Sequence, residues 1–373
     1  MWSDTFEIVR GQDKSDFYLP LNVRFTGEEA VDLGGPTREF FSVLFQGLEQ
    51  QRIVAGSSPF LTFSHDILTY ERKEYEIFGV LMGLSLLNGC SGPHNLSPSL
   101  VHYLLNEEKQ CCKFKIEETP NPDTRAKCLK IQETSGENDF SDNVQALDER
   151  FDAGFNKASV SLNDKEKLLQ TMAYHYVINI CHDEILQFKQ GLSFGGVLNV
   201  LRRFPKESFT ELTDSTESVI TPEDLTNIFE ANLSTRGSNL RIAEEDILYN
   251  WENFLSNVFR GKVSQTTISI EINEDVDTGN DNDKVVETQS TKVVSLNDIV
   301  MFSTGSYHLP ATGFERKVEI DFEHDPPEGK RVTANTCGPS ISFPVSPRYT
   351  SDLETFCTNV AEDIFSSPGF GCV

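Results

Sequence analysis

The residues best suited to chemistry in this chain are its eight cysteines: Cys90, Cys111, Cys112, Cys128, Cys181, Cys337, Cys357 and Cys372. An even count suits disulfides. The chain is large, however, and Met1-Trp-Ser-Asp-Thr-Phe-Glu7 has neither the basic nor the apolar region of a secretory signal, so reduced thiols are expected. No pair is spaced Cys-x-x-Cys, and adjacent Cys111 and Cys112 are poorly placed for a tetrahedral site, so neither a metal nor a cofactor is expected. Cys181 sits within a helical apolar pattern, Cys357 falls on the last helix pattern, and Cys90 ends an apolar run; all three read as core or helix-flank thiols. Cys181 and His182 are neighbours on a helix and cannot face each other as a dyad, which removes papain-like hydrolysis. Cys337 differs, because Thr333-Ala-Asn-Thr-Cys-Gly-Pro-Ser340 is a polar loop before an alternating strand. A loop thiol on a small rigid scaffold is accessible to reagents, and spacing alone leaves both a structural thiol and a nucleophile open there.

The elements around these residues fall into two textures. Thr37 begins a helix after the Asp32-Leu-Gly-Gly-Pro36 turn, with Phe41, Leu44, Phe45 and Leu48 on its apolar face. Residues 20–25 alternate like a short strand. Helices are expected over Tyr75–Asn88, from Pro98, over Asn163–Gln190, from Thr221 and over Ala243–Phe259. Residues 106–160 are polar and irregular, which predicts a small insert subdomain or a partly disordered loop. Glu271 to Asp283 carries six acids and no base, the composition of a solvated linker, although the β-like runs on either side could instead pair as a hairpin. Beyond it, Ser295–Phe302 reads as a helix, Val318, Ile320 and Phe322 and then Ile341 and Phe343 as strands, and Ser351-Asp-Leu-Glu354 as a capping box. The expected class is therefore α+β. A large mainly helical part spans 1–258, an acidic hinge 259–294, and a small α/β part 295–373.

Composition narrows the function. With 32 Lys and Arg against 58 Asp and Glu, the formal net charge is −26, which repels phosphate backbones and argues against a nucleic-acid partner. The apolar stretch Phe78–Cys90 is too short to span a bilayer, so no membrane partner is expected. The expected location is cytoplasmic and/or nuclear.

Five motifs in register carry a resemblance. Phe25-Thr-Gly-Glu-Glu-Ala-Val-Asp-Leu-Gly-Gly-Pro-Thr-Arg-Glu-Phe-Phe41 resembles the opening signature of HECT-type ubiquitin ligases. Phe302-Ser-Thr-Gly-Ser-Tyr-His-Leu-Pro-Ala-Thr-Gly-Phe314 is similar to the start of that family's C-terminal lobe, and Asn335-Thr336-Cys337 falls at its Thr-Cys active site. Phe343-Pro344 follows where the family has Leu-Pro, and Gly369-Phe370-Gly371 resembles the family's usual ending. Within the family, the texture is similar to a vertebrate subgroup linked to the G2/M phase. The resemblance implies a bilobal fold hinged between a large N-lobe and a small C-lobe, with ubiquitin, a ubiquitin-conjugating enzyme and a protein substrate as partners. It implies that Cys337 is the catalytic nucleophile, that Thr336 helps hold its loop, and that Phe370 helps position the substrate lysine. It also implies that the insert at 106–160 binds the conjugating enzyme. Asp32, Gly34, Gly35, Arg38 and Glu39 read as structural, setting a turn and a buried charge pair. Against the family pattern, Gly338-Pro339 follows the cysteine where an Asn is usual, the insert is short and polar, and the hinge is long. These departures suit the alternative reading, a HECT-like binding or scaffold protein that has lost transfer.

Overall fold

The computed structural model describes residues 1–13, 15–26, 32–106, 113–213, 219–272 and 285–366. In chain order the helices are α1 (Trp2–Gly11), α2 (Gly35–Gln46), α3 (Ile67–Glu71), α4 (Glu74–Leu87), α5 (Pro98–Asn106), α6 (Pro122–Glu133), α7 (Glu137–Gln145), α8 (Lys165–Tyr174), α9 (His182–Leu192), α10 (Val197–Arg203), α11 (Pro205–Leu212), α12 (Pro222–Ile228), α13 (Asn239–Phe259), α14 (Leu296–Thr304), α15 (Pro347–Thr350) and α16 (Leu353–Ser366). The strands are β1 (Val54–Ala55), β2 (Thr62–Phe63), β3 (Phe229–Ala231), β4 (Ser264–Ile272), β5 (Val285–Val293), β6 (Val318–Glu323), β7 (Thr333–Asn335) and β8 (Ser340–Pro344). The class is α+β, as expected.

Packing divides the chain into two units. The first comprises Met1–Asn22, Phe40–Val219 and Pro310–Gly313; the second comprises Val23–Glu39, Ile220–Leu309 and Phe314–Val373. The centre of the first unit is α4, which is apolar all round and so is buried on every side, as such a helix must be. It crosses α9 closely because both helices carry glycine at the contact. A Cβ on Gly79 would stand 2.3 Å from the Phe188 carbonyl oxygen, and one on Gly191 only 1.9 Å from that of Glu76. Phe63, Phe78 and Phe188 fill the space beside the crossing.

Over its described residues, 113–160, the insert is helical, in line with the subdomain alternative rather than the disordered loop. Asn121 caps α6 by accepting from the Asp123 and Thr124 amides, at 3.0 and 3.1 Å. Cys128 and Ile131 on α6, and Phe140, Val144 and Leu147 on and just after α7, are buried. The spacing of Phe140, Val144 and Leu147 is helical, but the surrounding acids conceal it by eye. The long helix expected over Asn163–Gln190 is two helices. A π turn at His175–Asn179 follows α8, and the chain breaks from helical geometry at Cys181. Residues 20–25 form no strand.

The second unit holds a four-stranded sheet in the order β3-β6-β8-β7, parallel except for the antiparallel β7–β8 pair. One face packs aromatic side chains: Trp251 of α13 lies 5.4 Å from Phe343 of β8, and Phe356 of α16 stacks on Phe343 at 6.0 Å. Helix α13 thus belongs to the core of the second unit, together with α12 and β3. The boundary expected at 258 is therefore not where the packing divides. The flanks of the acidic segment lie in the same unit, and its strands β4 and β5 pair antiparallel from Ser264↔Val293 to Ile272↔Val285, the hairpin alternative. Capping boxes open α12 at Thr221 and α14 at Ser295. At α16 the cap is Asp352 rather than Ser351, since Asp352 accepts from the Thr355 amide at 3.0 Å.

Candidate active site around Cys337

Environment sorts the described thiols. Cys128 and Cys181 are sealed in the first core, and burial pushes each thiol up to about 12. Cys90 is also buried, and burial raises the Cys357 thiol. Thiols kept protonated are poor nucleophiles. Cys337 is half-exposed and lies at the tip of the β7–β8 hairpin. Cys111, Cys112, Cys372 and Phe370 lie outside the described residues. Among the described residues no His, Cys, Asp and Glu cluster could hold a metal ion, and no helix is long and apolar enough to cross a membrane.

The hairpin loop is fixed by its own backbone chemistry. Asn335 and Ser340 close the loop as a register pair. The Asn335 side-chain carbonyl accepts from the amides of Cys337 (3.0 Å) and Gly338 (3.2 Å), the turn that short Asx side chains favour. Pro339 fits because its missing N–H leaves no donor to satisfy, while its carbonyl accepts from the Glu319 amide of β6 at 2.9 Å. The departure from the family pattern at Gly338-Pro339 is thus accommodated locally. Val332, just before β7, is pinned from beneath: its amide donates to the Tyr349 hydroxyl (3.2 Å) and to Asp363 (3.3 Å), and Tyr349 donates to Asp363 at 2.5 Å. Burial, with the Asp363 carboxylate alongside, pushes the Tyr349 phenol well above its ordinary range and keeps it a donor.

The turn before α2 reaches this loop. Asp32 accepts from the Val23 amide (2.8 Å), the Gly34 amide (2.9 Å) and Thr37 Oγ1 (2.5 Å). Burial alone would raise its carboxyl, but these donors outweigh burial and hold it below the usual carboxylate range. Gly34 takes φ +106°, a conformation open to glycine, and Gly35 lets the first turn of α2 approach Thr336. Arg38 donates from Nε to the Thr304 carbonyl at 2.7 Å and from Nη2 to the Thr336 carbonyl. Both of these acceptors are backbone carbonyls. Thr336 meets Arg38 through its main chain, whereas its Oγ1 is buried with no hydrogen-bond partner among the described residues. The signal for Arg38 was present in Gly-Gly-Pro-Thr-Arg, but its target lies 298 residues away and no local pattern reveals it.

The arrangement offers an accessible thiol on a pinned hairpin, suited to nucleophilic attack on an acyl carbonyl. A family model described as HECT-domain (ubiquitin-transferase) matches residues 36–253, more than half of the chain and ending before Cys337. Over 355 residues, 94% of the chain, the sequence is 23% identical to the G2/M phase-specific E3 ubiquitin-protein ligase of Homo sapiens, covering 44% of that protein. The protein of the same name from Macaca fascicularis matches to the same extent. A 90-residue stretch, 23% of the chain, is 32% identical to the probable E3 ubiquitin-protein ligase HERC4 of Homo sapiens, 8% of whose length it covers. The chain spans less than half the length of the curated relatives it matches.

Proposed function

The chain belongs to the HECT-domain (ubiquitin-transferase) family, and from that premise we propose that it takes ubiquitin from a ubiquitin-conjugating enzyme onto Cys337 and passes it to a lysine of a protein substrate. In the first step the Cys337 sulfur, as thiolate, attacks the thioester carbonyl joining ubiquitin to the conjugating enzyme. A new C–S bond forms, the old one breaks, and the conjugating enzyme's sulfur leaves as thiolate. In the second step a substrate amine attacks the Cys337 thioester, the isopeptide C–N bond forms, Cys337 leaves as thiolate, and the amine's proton passes to solvent. One difficult acyl transfer is thereby divided into two easier ones.

Within this reading, the insert around α6 and α7 receives the conjugating enzyme. Its helices α6 and α7 supply a folded surface for that contact. Thr336 supports the loop through its main-chain carbonyl, Phe370 helps orient the incoming lysine, and a hinge between lobes lets one thiol serve both steps. The observation that carries the proposal is the half-exposed Cys337, held at a hairpin tip whose amides are satisfied by Asn335, in a chain of this family. Incubation with ubiquitin, activating enzyme, conjugating enzyme and ATP tests it. A ubiquitin adduct that disappears on adding reductant is expected; no adduct across a broad panel of conjugating enzymes would favour the scaffold alternative.

A further inference from the structure

Arg38 is the point where the first turn of α2, the end of α14 and the loop around Cys337 meet, residues that all lie in the second unit. Its Nε donates to the carbonyl of Thr304, the last residue of α14, where unsatisfied carbonyls and the helix dipole favour a cation. Its Nη2 donates to the Thr336 carbonyl, one residue before the thiol. The guanidinium suits this task because its donors lie in one rigid plane and can bind two acceptors at a fixed angle. The approach depends on glycine from both sides. A Cβ on Gly35 would meet Thr336 Oγ1 at 2.5 Å and the Cys337 amide nitrogen at 3.0 Å. A Cβ on Gly305, the left-handed cap of α14, would stand 3.1 Å from the Gly35 carbonyl.

Further ties on the loop come from its own sheet: Asn335 holds the amides of Cys337 and Gly338, and Glu319 holds the carbonyl of Pro339. These fix the turn but leave the Thr336 carbonyl, hence the peptide leading into Cys337, to be set by Arg38. We infer that Arg38 is a positioning residue for Cys337: by clamping the Thr336 carbonyl to the C-terminus of α14, it fixes the direction from which the thiol meets an acyl carbonyl. The inference rests on the proposed role of Cys337 as acyl carrier. Arg38 acts through Thr336 and requires no contact with ubiquitin. Misplacing a reacting group by about 1 Å can cost about a hundredfold in rate, so loss of the clamp should act on the rate of acyl transfer rather than on capture of the conjugating enzyme.

The test compares the full chain with Arg38→Ala and Arg38→Lys in single-turnover loading, over a range of ubiquitin-charged conjugating enzyme. Alkylation of Cys337 by iodoacetamide, mapped by peptide mass with Cys357 as internal control, is followed in parallel. The expected result for Arg38→Ala is a maximal loading rate about 10- to 100-fold lower, with the half-saturating concentration unchanged within about twofold and the reactive fraction unchanged. Arg38→Lys should recover part of the rate, since one ammonium can reach a carbonyl but lacks the planar fork. Alkylation of Cys337 should rise at least about threefold in Arg38→Ala as the loop loosens. An unchanged maximal rate overturns the inference, as does a loss confined to the reactive fraction and the melting temperature. If the wild-type chain does not load, the proposed function fails by itself and alkylation alone decides the clamp: equal rates in wild type and Arg38→Ala overturn it, and a rise supports it.

Discussion

Gly35→Ala probes how tightly the first turn of α2 and the thiol loop are packed. The added methyl would stand 2.5 Å from Thr336 Oγ1 and 3.0 Å from the Cys337 amide nitrogen, whereas ordinary contact begins at 3.4 Å. The first clash is soft, because Thr336 Oγ1 makes no hydrogen bond among the described residues and can rotate away. The second is hard, because it is with backbone, and about 0.4 Å must be found by moving the Cys337 peptide or the start of α2. If displacement by about 1 Å costs about a hundredfold, a shift of this size should slow loading about tenfold, or about 1.4 kcal/mol of barrier. Single-turnover loading measures it. Thr336→Ala alone should be neutral or slightly stabilising, since it removes an unsatisfied buried hydroxyl oxygen. Combined with Gly35→Ala it should restore part of the lost rate by clearing the nearer contact. Loading by Gly35→Ala at the wild-type rate would refute the packing argument, and so would a double variant no faster than the single one.

Tyr349→Phe takes a donor from the buried Asp363 carboxylate and an acceptor from the Val332 amide, and should cost about 1–3 kcal/mol in denaturant unfolding. Gly191→Ala should destabilise the first unit by about 3 kcal/mol or more, or prevent folding, because its methyl would lie 1.9 Å from a carbonyl oxygen of α4; the melting temperature reads this directly. For pH, Asp32 and Glu244 decide the sign. Burial works to raise each carboxyl, but hydrogen bonds from Thr37, Val23 and Gly34 to Asp32, and from Ser234 and His324 to Glu244, hold both below the ordinary range. A folded-state value below the unfolded one gives stability that is full above the ordinary carboxylate range and is lost as pH falls through the depressed values. The melting temperature should therefore fall on acidification below about pH 4, and the gap between wild type and Glu244→Gln should narrow in the same window.

Much of the second unit was legible because its signals are local. Thr221 and Ser295 cap their helices through neighbours three residues on, and the alternation of Val318, Ile320 and Phe322 shows in β6. The polar loop around Cys337 was likewise readable, since Asn335 turns the chain through the amides two and three residues on. What escaped is set by distant packing. Helix α13 shows its apolar stripe in sequence, but it is contacts such as Trp251 with Phe343 and Phe254 with Phe356 that assign it to the second core. The insert was obscured because exposed acids outnumber the few apolar residues that Phe140 and Val144 bring inward. The link from Arg38 to Thr304 and Thr336 escaped for the same reason as α13, because both meet it through their carbonyls and any residue type can supply one.

The claim on which the chemistry depends is that Cys337 carries ubiquitin, and intact mass with peptide mapping of the loaded chain tests it most directly. Wild type should gain one ubiquitin on the peptide containing Cys337, removable by reductant, while Cys337→Ser should gain at most a reductant-resistant oxyester at the same position. A reductant-sensitive ubiquitin retained in Cys337→Ser, or mapped to another cysteine in wild type, would contradict it.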